Sequence, residues 1–423
     1  MTAPLVQIEK PVYGGSFLAR LEGKAIFVPL ALPGEQVRIR ILEDRRGYAN
    51  AEVEEFVSLA PERTPGACRH FGTCGGCHYQ HADYAAQLKF KQAILEETLA
   101  RAGVDPGGRI EVLSDRPWAY RNRIRLAFEE GAAGYRGRRS HRVVSIAECP
   151  IAAPLLVRSA LALKETLALP GAGLNPSQVS LFCNSDESSL LATIFVPQVR
   201  PRGLDGLASE WRARTPELCG LELVPSSRAG TKGPGIARWG RNWLEYPAAG
   251  FGYRVDNGCF FQVNRWLVDA LVEKVVGGTR GSLAWDLYAG VGLFAKKLSR
   301  QFERVVAVES ERAATSALKT NLAGGNAEAV AADTLAFLGR KRGGMRPDLV
   351  VVDPPRTGLG AEPIARLAEV APPAIVYVSC DPATLARDLK ALGTSGYAIE
   401  SVILADLFPQ TFHIESVVRL ARR

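Results

Sequence analysis

The C-terminal part of the chain alternates short apolar runs with longer amphipathic segments, and this alternation restricts the fold more than any other feature. Runs typical of buried strands occupy residues 283–288, 304–309, 327–331, 349–353 and 374–379. Each run is followed by a helix-like segment, and strands that alternate with helices build a parallel sheet. The last two runs, 399–404 and 414–420, have no helix between them, which predicts antiparallel neighbours. The sequence therefore predicts a Rossmann-like α/β domain over residues 255–423.

The N-terminal residues 1–60 have a different pattern, with short alternating segments separated by turns. The predicted strands cover residues 6–9, 16–21, 25–28, 36–42 and 51–57. Gly14-Gly15 and Pro33-Gly34 are among the turn signals between them. Five short strands with this spacing predict a small OB-like barrel, a frequent nucleic-acid-binding scaffold. A plain β domain with another role fits the same pattern.

The middle of the chain, residues 61–254, predicts an α+β domain. Tyr84–Ala102 has apolar residues at helical spacing and is followed by Gly103, so it predicts a helix. The rest is mostly strand-like, with a loop predicted over residues 226–235.

Composition excludes some classes of protein. The chain has 423 residues, a formal charge of +8 and a pI near 9.1. Its apolar runs are shorter than the roughly 20 residues of a membrane span, and its start resembles no secretory signal. We therefore expect a cytoplasmic protein, monomeric and not bound to a membrane. The positive charge suits a polyanionic partner without identifying one.

Cys380 joins a predicted core strand to a predicted helix. Asp381 is a good N-cap and Pro382 a good first helical residue. The thiol is thus expected at the carboxyl edge of the sheet, where open α/β sheets bind ligands. A helix N-terminus favours the thiolate, so we expect a lowered pKa and a reactive nucleophile. The alternative is a structural cysteine that ends a strand.

Acidic residues follow several of the predicted strands. Asp286 precedes a turn that contains Gly290 and Gly292, while Glu309 ends the next predicted strand and Asp333 follows a third. A carboxylate in the position of Glu309 can accept hydrogen bonds from ribose hydroxyls. A dinucleotide fold would have a third glycine under its pyrophosphate. These acidic surroundings instead favour a cationic ligand such as S-adenosylmethionine.

Two further motifs belong to the same sheet edge. Asp353 and two prolines form a stiff loop that can border a pocket for a flat base. Amine-methylating enzymes use such a loop alone, whereas here Cys380 is available as a nucleophile. Glu415 opens the last strand and reaches the same edge if that strand is antiparallel. An ordinary strand-start carboxylate is the alternative for Glu415.

A separate cysteine group predicts a metal centre. Cys68, Cys74 and Cys77 have the spacing C-x5-C-x2-C, and Cys149 before a proline can complete the set. Disulfides are disfavoured in a reducing compartment, so the cysteines are expected to bind a metal. A set of four thiolates suits an iron–sulfur cluster. Zinc is the rival metal, with the first three cysteines and a histidine from His70, His78 and His81.

Arginines are concentrated in two places. Arg121, Arg123 and Arg125 alternate with less polar residues, which predicts a basic stripe on one face of a strand. Residues 136–142 add a second basic run. Such stripes contact phosphates, and aromatic neighbours can stack on bases. A solvated charged strand is the alternative.

These motifs together resemble the RNA (uracil-5-)-methyltransferase family, most closely its iron–sulfur members that act on 23S rRNA. The resemblance covers nearly the whole chain and includes a TRAM-like barrel, residues 260–264, Asp286–Gly292, residues 353–356, residues 379–382 and His413–Glu415. It implies a class I methyltransferase fold for residues 255–423, with Cys380 as nucleophile and Glu415 as base. It also implies an S-adenosylmethionine site and a 4Fe–4S cluster held by the four cysteines. The residues that would line the cofactor site are Gln262, Tyr288, Gly290, Glu309, Asp333 and Asp353.

The implied activity is transfer of a methyl group from S-adenosylmethionine to C5 of a uridine in 23S rRNA. Addition of a thiolate at C6 makes C5 nucleophilic, and a base then removes the C5 proton. A tRNA T-loop uridine is the alternative substrate. A non-catalytic iron–sulfur RNA-binding protein is the alternative from another class, and it would need neither Cys380 nor Glu415.

Overall fold

The computed structural model describes residues 3–129, 131–169, 174–197, 203–226, 237–339 and 345–423. Nearly all of the loop predicted over residues 226–235 lies outside these residues. Among the helices described, none combines the length and the apolar character needed to cross a membrane.

The N-terminal strands close into a barrel in the order β1-β2-β3-β5-β4. They are β1 (Leu5–Val12), β2 (Ser16–Leu21), β3 (Lys24–Pro29), β4 (Gln36–Asp44) and β5 (Tyr48–Ser58). Alternate side chains fill the barrel, where Phe17, Val28 and Ile39 are fully buried. Glu35 is also fully buried, and it accepts hydrogen bonds from Arg63 beyond the barrel. The predicted five-stranded barrel is confirmed.

The first helix has the bounds that its sequence predicts. Helix α1 (Tyr84–Ala102) begins after Asp83, whose carboxylate accepts a hydrogen bond from the Ala86 N–H at 2.7 Å. It ends at Gly103, which has a φ of 72°. Its apolar face, with Ile94 and Leu95, packs into the core of the C-terminal sheet rather than into the central sheet.

The central residues form a second sheet in the order β13-β12-β11-β10-β7-β8-β9. Its strands are β7 (Arg123–Glu129), β8 (Ala132–Arg136), β9 (Val143–Ser145), β10 (Gln178–Cys183), β11 (Leu190–Val196), β12 (Leu218–Pro225) and β13 (Ala237–Gly240). Helices α2 (Pro154–Leu167) and α3 (Leu204–Arg214) contribute to its core, and β14 (Trp243–Ala248) with β15 (Phe251–Asp256) forms a hairpin. The short β6 (Glu111–Leu113) joins the C-terminal sheet, although the sequence assigns it to the central domain.

The C-terminal sheet has the order β18-β17-β16-β19-β20-β22-β21-β6. Its remaining strands are β16 (Gly281–Leu287), β17 (Phe302–Glu309), β18 (Ala327–Ala331), β19 (Leu349–Val352), β20 (Ala374–Ser379), β21 (Tyr397–Ala405) and β22 (Glu415–Arg422). Its helices are α4 (Val268–Val276), α5 (Leu293–Leu298), α6 (Arg312–Leu322), α7 (Thr334–Leu338), α8 (Ala361–Val370) and α9 (Pro382–Thr394). Strands β16 to β20 are parallel, and β22 is antiparallel to both β20 and β21. The predicted α/β sheet and its antiparallel end are confirmed.

A buried ion pair fixes the connection between β21 and β22. The Lys91 Nζ of α1 lies 2.5 Å from the Asp406 Oδ1, and both side chains are fully buried. Lys91 also donates to the main-chain oxygen of Phe408, and the Tyr84 hydroxyl donates to the other oxygen of Asp406. The Gln87 side chain forms two hydrogen bonds with Gln410 in the same connection. Its N–H donates to the Gln410 side-chain oxygen, and its oxygen accepts from the Gln410 main-chain N–H. Helix α1 thus holds the segment that leads to Glu415.

The replacement Lys91→Met should lower the free energy of unfolding by about 3–5 kcal/mol, because it leaves Asp406 buried and unpaired. Urea denaturation checks this value. Lys10→Met is the matched control, because Lys10 pairs with Glu97 where both side chains are partly exposed. It should cost about 1 kcal/mol or less. Equal costs for the two variants would contradict the assigned role of the buried pair.

Candidate active site

Cys380 lies between the end of β20 and the start of α9. Asp381 caps this helix, and its Oδ1 accepts hydrogen bonds from the Ala383 and Thr384 N–H groups at 3.1 and 2.9 Å. Pro382 is the first helical residue. The strand, cap and helix therefore form as the sequence predicts. They leave the Cys380 side chain partly exposed at the carboxyl edge of the sheet.

Glu415 reaches the same edge from the opposite chain direction. It starts β22, where Ser416 is paired with Ser379 of β20, so Glu415 and Cys380 each lie next to this pair. The Glu415 side chain is buried, with 5% of its surface exposed. Asp353, directly after β19, interacts electrostatically with both residues.

The surroundings of Cys380 raise the pKa of its thiol to about 11. Burial is the main cause, and the charges of Glu415 and Asp353 add to it, while Arg356 acts in the opposite direction. The expected lowering of this pKa is therefore wrong for the protein without its substrates. Burial and two carboxylates outweigh the helix N-terminus, and only about 0.1% of such a thiol is ionised at pH 8.

The acidic groups of the site are crowded together. Burial, with the neighbouring Asp353, raises the pKa of Glu415 well above its usual value, while Arg356 opposes this shift. Burial likewise raises the pKa of Asp353 to about 7 and that of Asp286 to about 8. Asp353 and Glu309 both contribute to the shift at Asp286. Interacting carboxylates, namely Asp286, Asp353 and Glu415, thus extend from the glycine turn to Cys380.

The glycine turn after β16 has an unusual backbone. Tyr288 has a φ of 65°, Gly290 of 56° and Gly292 of 94°. A Cβ atom on Gly292 would lie only 2.7 Å from a methyl group of Leu318. Tyr288 adopts the left-handed conformation despite its bulk, which is a strained arrangement that often marks a binding site. The sequence gives no sign of this strain.

Acceptors surround this turn. The Glu309 Oε2 accepts a hydrogen bond from the Gly290 N–H at 2.9 Å, which holds the carboxylate against the turn. The Asp286 Oδ2 accepts one from the Ala295 N–H at 2.8 Å. Its Oδ1 is buried and has no hydrogen-bond partner among the described residues. A buried acceptor of this kind suits a ligand that brings a donor or a positive charge.

The two other predicted cofactor residues have local structural contacts. Asp333 caps α7 and accepts hydrogen bonds from the Leu335 and Ala336 N–H groups. Gln262 is buried between β15 and α4, where its main-chain oxygen accepts a hydrogen bond from the Asn122 side chain at 2.8 Å. These contacts anchor Gln262 to the central sheet.

The four predicted metal-binding cysteines line one cavity of about 80 Å³. They are Cys68, Cys74, Cys77 and Cys149, all with free thiols. His70 and Arg121 line the same cavity. The buried His70 Nε2 and the buried Arg121 Nε have no hydrogen-bond partner among the described residues. Among the described residues, no group of three or more His, Cys, Asp or Glu side chains is arranged to hold a metal ion.

The predicted arginine stripe is only partly a surface feature. Asn122, Ile124 and Leu126 are buried, as the alternation requires. Arg123, however, has a shielded guanidinium that lies 4.2 Å from the centre of the Phe182 ring. Burial lowers the pKa of Arg123 to about 10. Arg121 and Arg123 are half-buried and Arg125 is exposed, so the expected phosphate contacts of the stripe stay a prediction.

Arg125 instead borders a large groove between the barrel and the central sheet. The groove has a volume of about 840 Å³, and it is bordered by the turn at Gly14 and Gly15. Other basic side chains along it are Arg136, Arg138 and Arg139. The second basic run predicted from the sequence thus lies beside the barrel, where it can contact a polyanion.

Comparison with known proteins defines the class. Residues 344–423 match the family described as tRNA (Uracil-5-)-methyltransferase, and residues 5–53 match the TRAM domain. An uncharacterized RNA methyltransferase of Thermotoga maritima is 31% identical, over 99% of this chain and 98% of its own. The 23S rRNA (uracil(1939)-C(5))-methyltransferase RlmD of Halomonas elongata is 33% identical, over 98% of this chain and 88% of its own.

A solved structure agrees with these sequence relationships. The Pyrococcus abyssi tRNA (uracil-54, C5)-methyltransferase in complex with S-adenosyl-L-homocysteine has a TM-score of 0.80 and 26% identity, covering 98% of this chain and 99% of its own. The chain belongs to the RNA uracil-C5 methyltransferase family. It is an S-adenosylmethionine-dependent enzyme with a TRAM domain, and the predicted family is confirmed.

Alkylation of Cys380 by iodoacetamide should accelerate about tenfold for each pH unit between pH 7 and 10, because the thiolate fraction does so below a pKa near 11. Arg356→Ala should slow the reaction several-fold, since it removes the cation that favours the thiolate. Mass spectrometry of the Cys380 peptide measures both rates. Arg366→Ala, on the exposed side of α8, should leave them unchanged. A plateau below pH 9 would refute the raised pKa.

Proposed function

We propose that this protein methylates C5 of a uridine in 23S rRNA through a covalent adduct between Cys380 and C6. The observation that carries the mechanism is the pairing of Ser379 with Ser416, which brings Cys380 and Glu415 together at one edge of the sheet, with Asp353 acting on both. It puts acceptors for a cationic methyl donor beside a nucleophile and a base. The Halomonas relative, which is named for a 23S rRNA uridine, supports the choice of substrate.

The cofactor site that we propose comprises Gln262, Tyr288, Gly290, Glu309, Asp333 and Asp353. The buried and unpartnered Asp286 Oδ1 supports a cationic ligand beside the turn. Glu309, which the Gly290 N–H holds in place, has further lone pairs for ribose hydroxyls. S-adenosylmethionine, when bound there, supplies an electrophilic methyl group. The protein has to orient this group towards C5 of the uridine and exclude water.

Cys380 and Glu415 divide the chemistry between addition and elimination. The partly exposed Cys380 thiol first loses its proton to solvent. The thiolate then forms the S–C6 bond, and the electrons of the C5–C6 double bond move towards O4. C5 would then displace the methyl group from the sulfonium sulfur, whose S–CH3 bond breaks and leaves a neutral thioether. Glu415 removes the C5 proton, the double bond returns and the S–C6 bond breaks, which restores the thiolate. A buried carboxylate with a raised pKa suits this proton transfer.

We further propose that Cys68, Cys74, Cys77 and Cys149 hold a 4Fe–4S cluster. Arg121 lines the same cavity and has a buried Nε without a hydrogen-bond partner among the described residues, and its positive charge suits an anionic thiolate-ligated group there. A single zinc ion would draw its sulfur ligands to about 2.3 Å from one point. Four cysteines around one cavity supply the ligand set of a cluster, and zinc is the rival metal that the experiment below distinguishes.

RNA has a suitable path along the groove that Arg125, Arg138 and Arg139 border. Its several guanidinium groups suit the phosphates of a nucleic-acid backbone. The target base has to leave its stack to reach Cys380, as enzymes that modify bases require. We propose this groove as the route by which the strand enters the site.

RNA that carries 5-fluorouridine at the target should form a denaturation-resistant adduct with the wild-type protein when S-adenosylmethionine is present, since fluorine cannot leave C5 as a proton. Cys380→Ala should abolish the adduct, and Cys183→Ala, at a buried cysteine of the central sheet, should retain it. With ordinary uridine, Glu415→Gln should accumulate a methylated adduct. Gel electrophoresis and mass spectrometry of the RNA measure these species.

A 23S rRNA fragment and a tRNA T-loop distinguish the substrates in the same assay. We expect the adduct on the 23S rRNA fragment. An adduct on the tRNA alone would keep the mechanism and refute the proposed substrate. An adduct that survives in Cys380→Ala would refute the nucleophile.

Protein purified without oxygen should contain about four iron and four sulfide atoms per chain and absorb in the visible range, as a cluster with four cysteine ligands does. Cys77→Ala should lose most of the iron, because one of the four ligands is gone. Cys219→Ala, outside the cavity, is the matched control and should keep it. Stoichiometric zinc without sulfide would contradict the cluster.

A further inference from the structure

The turn between β1 and β2 lies where the barrel meets the C-terminal domain. Gly14 and Gly15 have φ angles of 104° and 87°, a conformation that favours glycine. A Cβ atom on Gly15 would lie 2.9 Å from the His78 ring. The turn is therefore packed tightly against the cysteine segment, and the residue before it, Tyr13, has a defined position.

Aromatic rings connect this turn with the catalytic edge. The Tyr13 ring meets the Phe412 ring edge-on, with 5.4 Å between centroids and an angle of 89°. His78 lies 4.6 Å from the same ring on another side, and His413 lies 4.4 Å from it. Phe412 is three residues before Glu415, so Tyr13 packs against the segment that positions the proposed base.

The Tyr13 hydroxyl belongs to the electrostatic surroundings of the proposed active site. It interacts with the charges of Cys380, Glu415, Asp381 and Arg356. Burial is the main reason why the pKa of Tyr13 rises to about 12, so the hydroxyl keeps its proton at neutral pH. The side chain remains partly exposed, and the hydrogen bonds described for this part of the chain include none to its hydroxyl.

We propose that Tyr13 is a substrate-binding residue that the barrel supplies to the active site, where its hydroxyl donates a hydrogen bond to a carbonyl oxygen of the target uracil. This inference rests on the proposed function. A base that places C6 at Cys380 and C5 near Glu415 brings the neighbouring O4 to this edge, whereas O2 lies on the far side of the ring. A neutral donor can satisfy a carbonyl there without adding charge to a carboxylate-rich pocket. The barrel then recognises the base itself as well as the strand around it.

Tyr13→Phe tests the hydroxyl alone, because it keeps the ring against Phe412. We expect kcat/KM for RNA methylation to fall about tenfold, as the loss of a buried hydrogen bond implies. Thermal unfolding should be unchanged, as should the affinity for S-adenosylmethionine. Tyr48→Phe is the matched control, since Tyr48 is an exposed barrel residue that pairs with Phe27, and its kcat/KM should equal that of the wild type.

RNA substrates with 2-thiouridine or 4-thiouridine at the target show which oxygen accepts the bond, because sulfur is the weaker acceptor. With the correct thio-substrate, Tyr13→Phe should cost nearly nothing further, which is the non-additivity expected of two directly interacting groups. A tenfold loss that persists with both thio-substrates would overturn the inference, because Tyr13 would then act through another group.

Two other outcomes separate this inference from the proposed function. If the wild-type enzyme is active and Tyr13→Phe methylates ordinary uridine at the same rate, the inference is overturned and the proposed function stands. Failure of the wild-type protein to methylate either the 23S rRNA fragment or the tRNA would refute the function, and this inference with it.

Discussion

The ion pair between Lys91 and Asp406 is the constraint on which the geometry of the site depends. Both charges are fully buried, so the cost of removing them from water has to be offset by close contacts. Tyr84 and the main-chain oxygen of Phe408 supply these contacts. The pair selects one position for the segment before β22, which carries Phe412 and leads directly to Glu415. A helix from the middle of the sequence thereby determines where a C-terminal carboxylate stands.

Local sequence signals were sufficient to predict most elements of the fold. Tyr84–Ala102 was predictable to the residue because Asp83 and Gly103 mark its ends. The parallel sheet and its antiparallel end followed from strand and helix order. The attachment of β6 and the burial of Arg123 did not follow, because each depends on packing between segments far apart in sequence.

The candidate site shows the same division between local and long-range effects. The sequence predicted Cys380 and Glu415 at one edge, because strand direction alone determines that arrangement. It predicted the wrong direction for the Cys380 pKa, because the helix N-terminus is a local feature, whereas burial and Asp353 come from the assembled sheet. Tyr13 was missed for a related reason: nothing in the barrel sequence indicates which surface of another domain its turn will contact.

The crowded carboxylates have a consequence for the order of events in a catalytic cycle. Asp286 and Asp353, with pKa values of about 8 and 7, are partly protonated at neutral pH. In the proposed cofactor site, a sulfonium ligand beside them would favour their ionised forms, so its binding would release protons and tighten as the pH rises through this range. S-adenosylhomocysteine lacks the sulfonium charge and gains less from those anions. In the proposed cofactor site, the same acids would therefore favour exchange of the spent product for a new methyl donor.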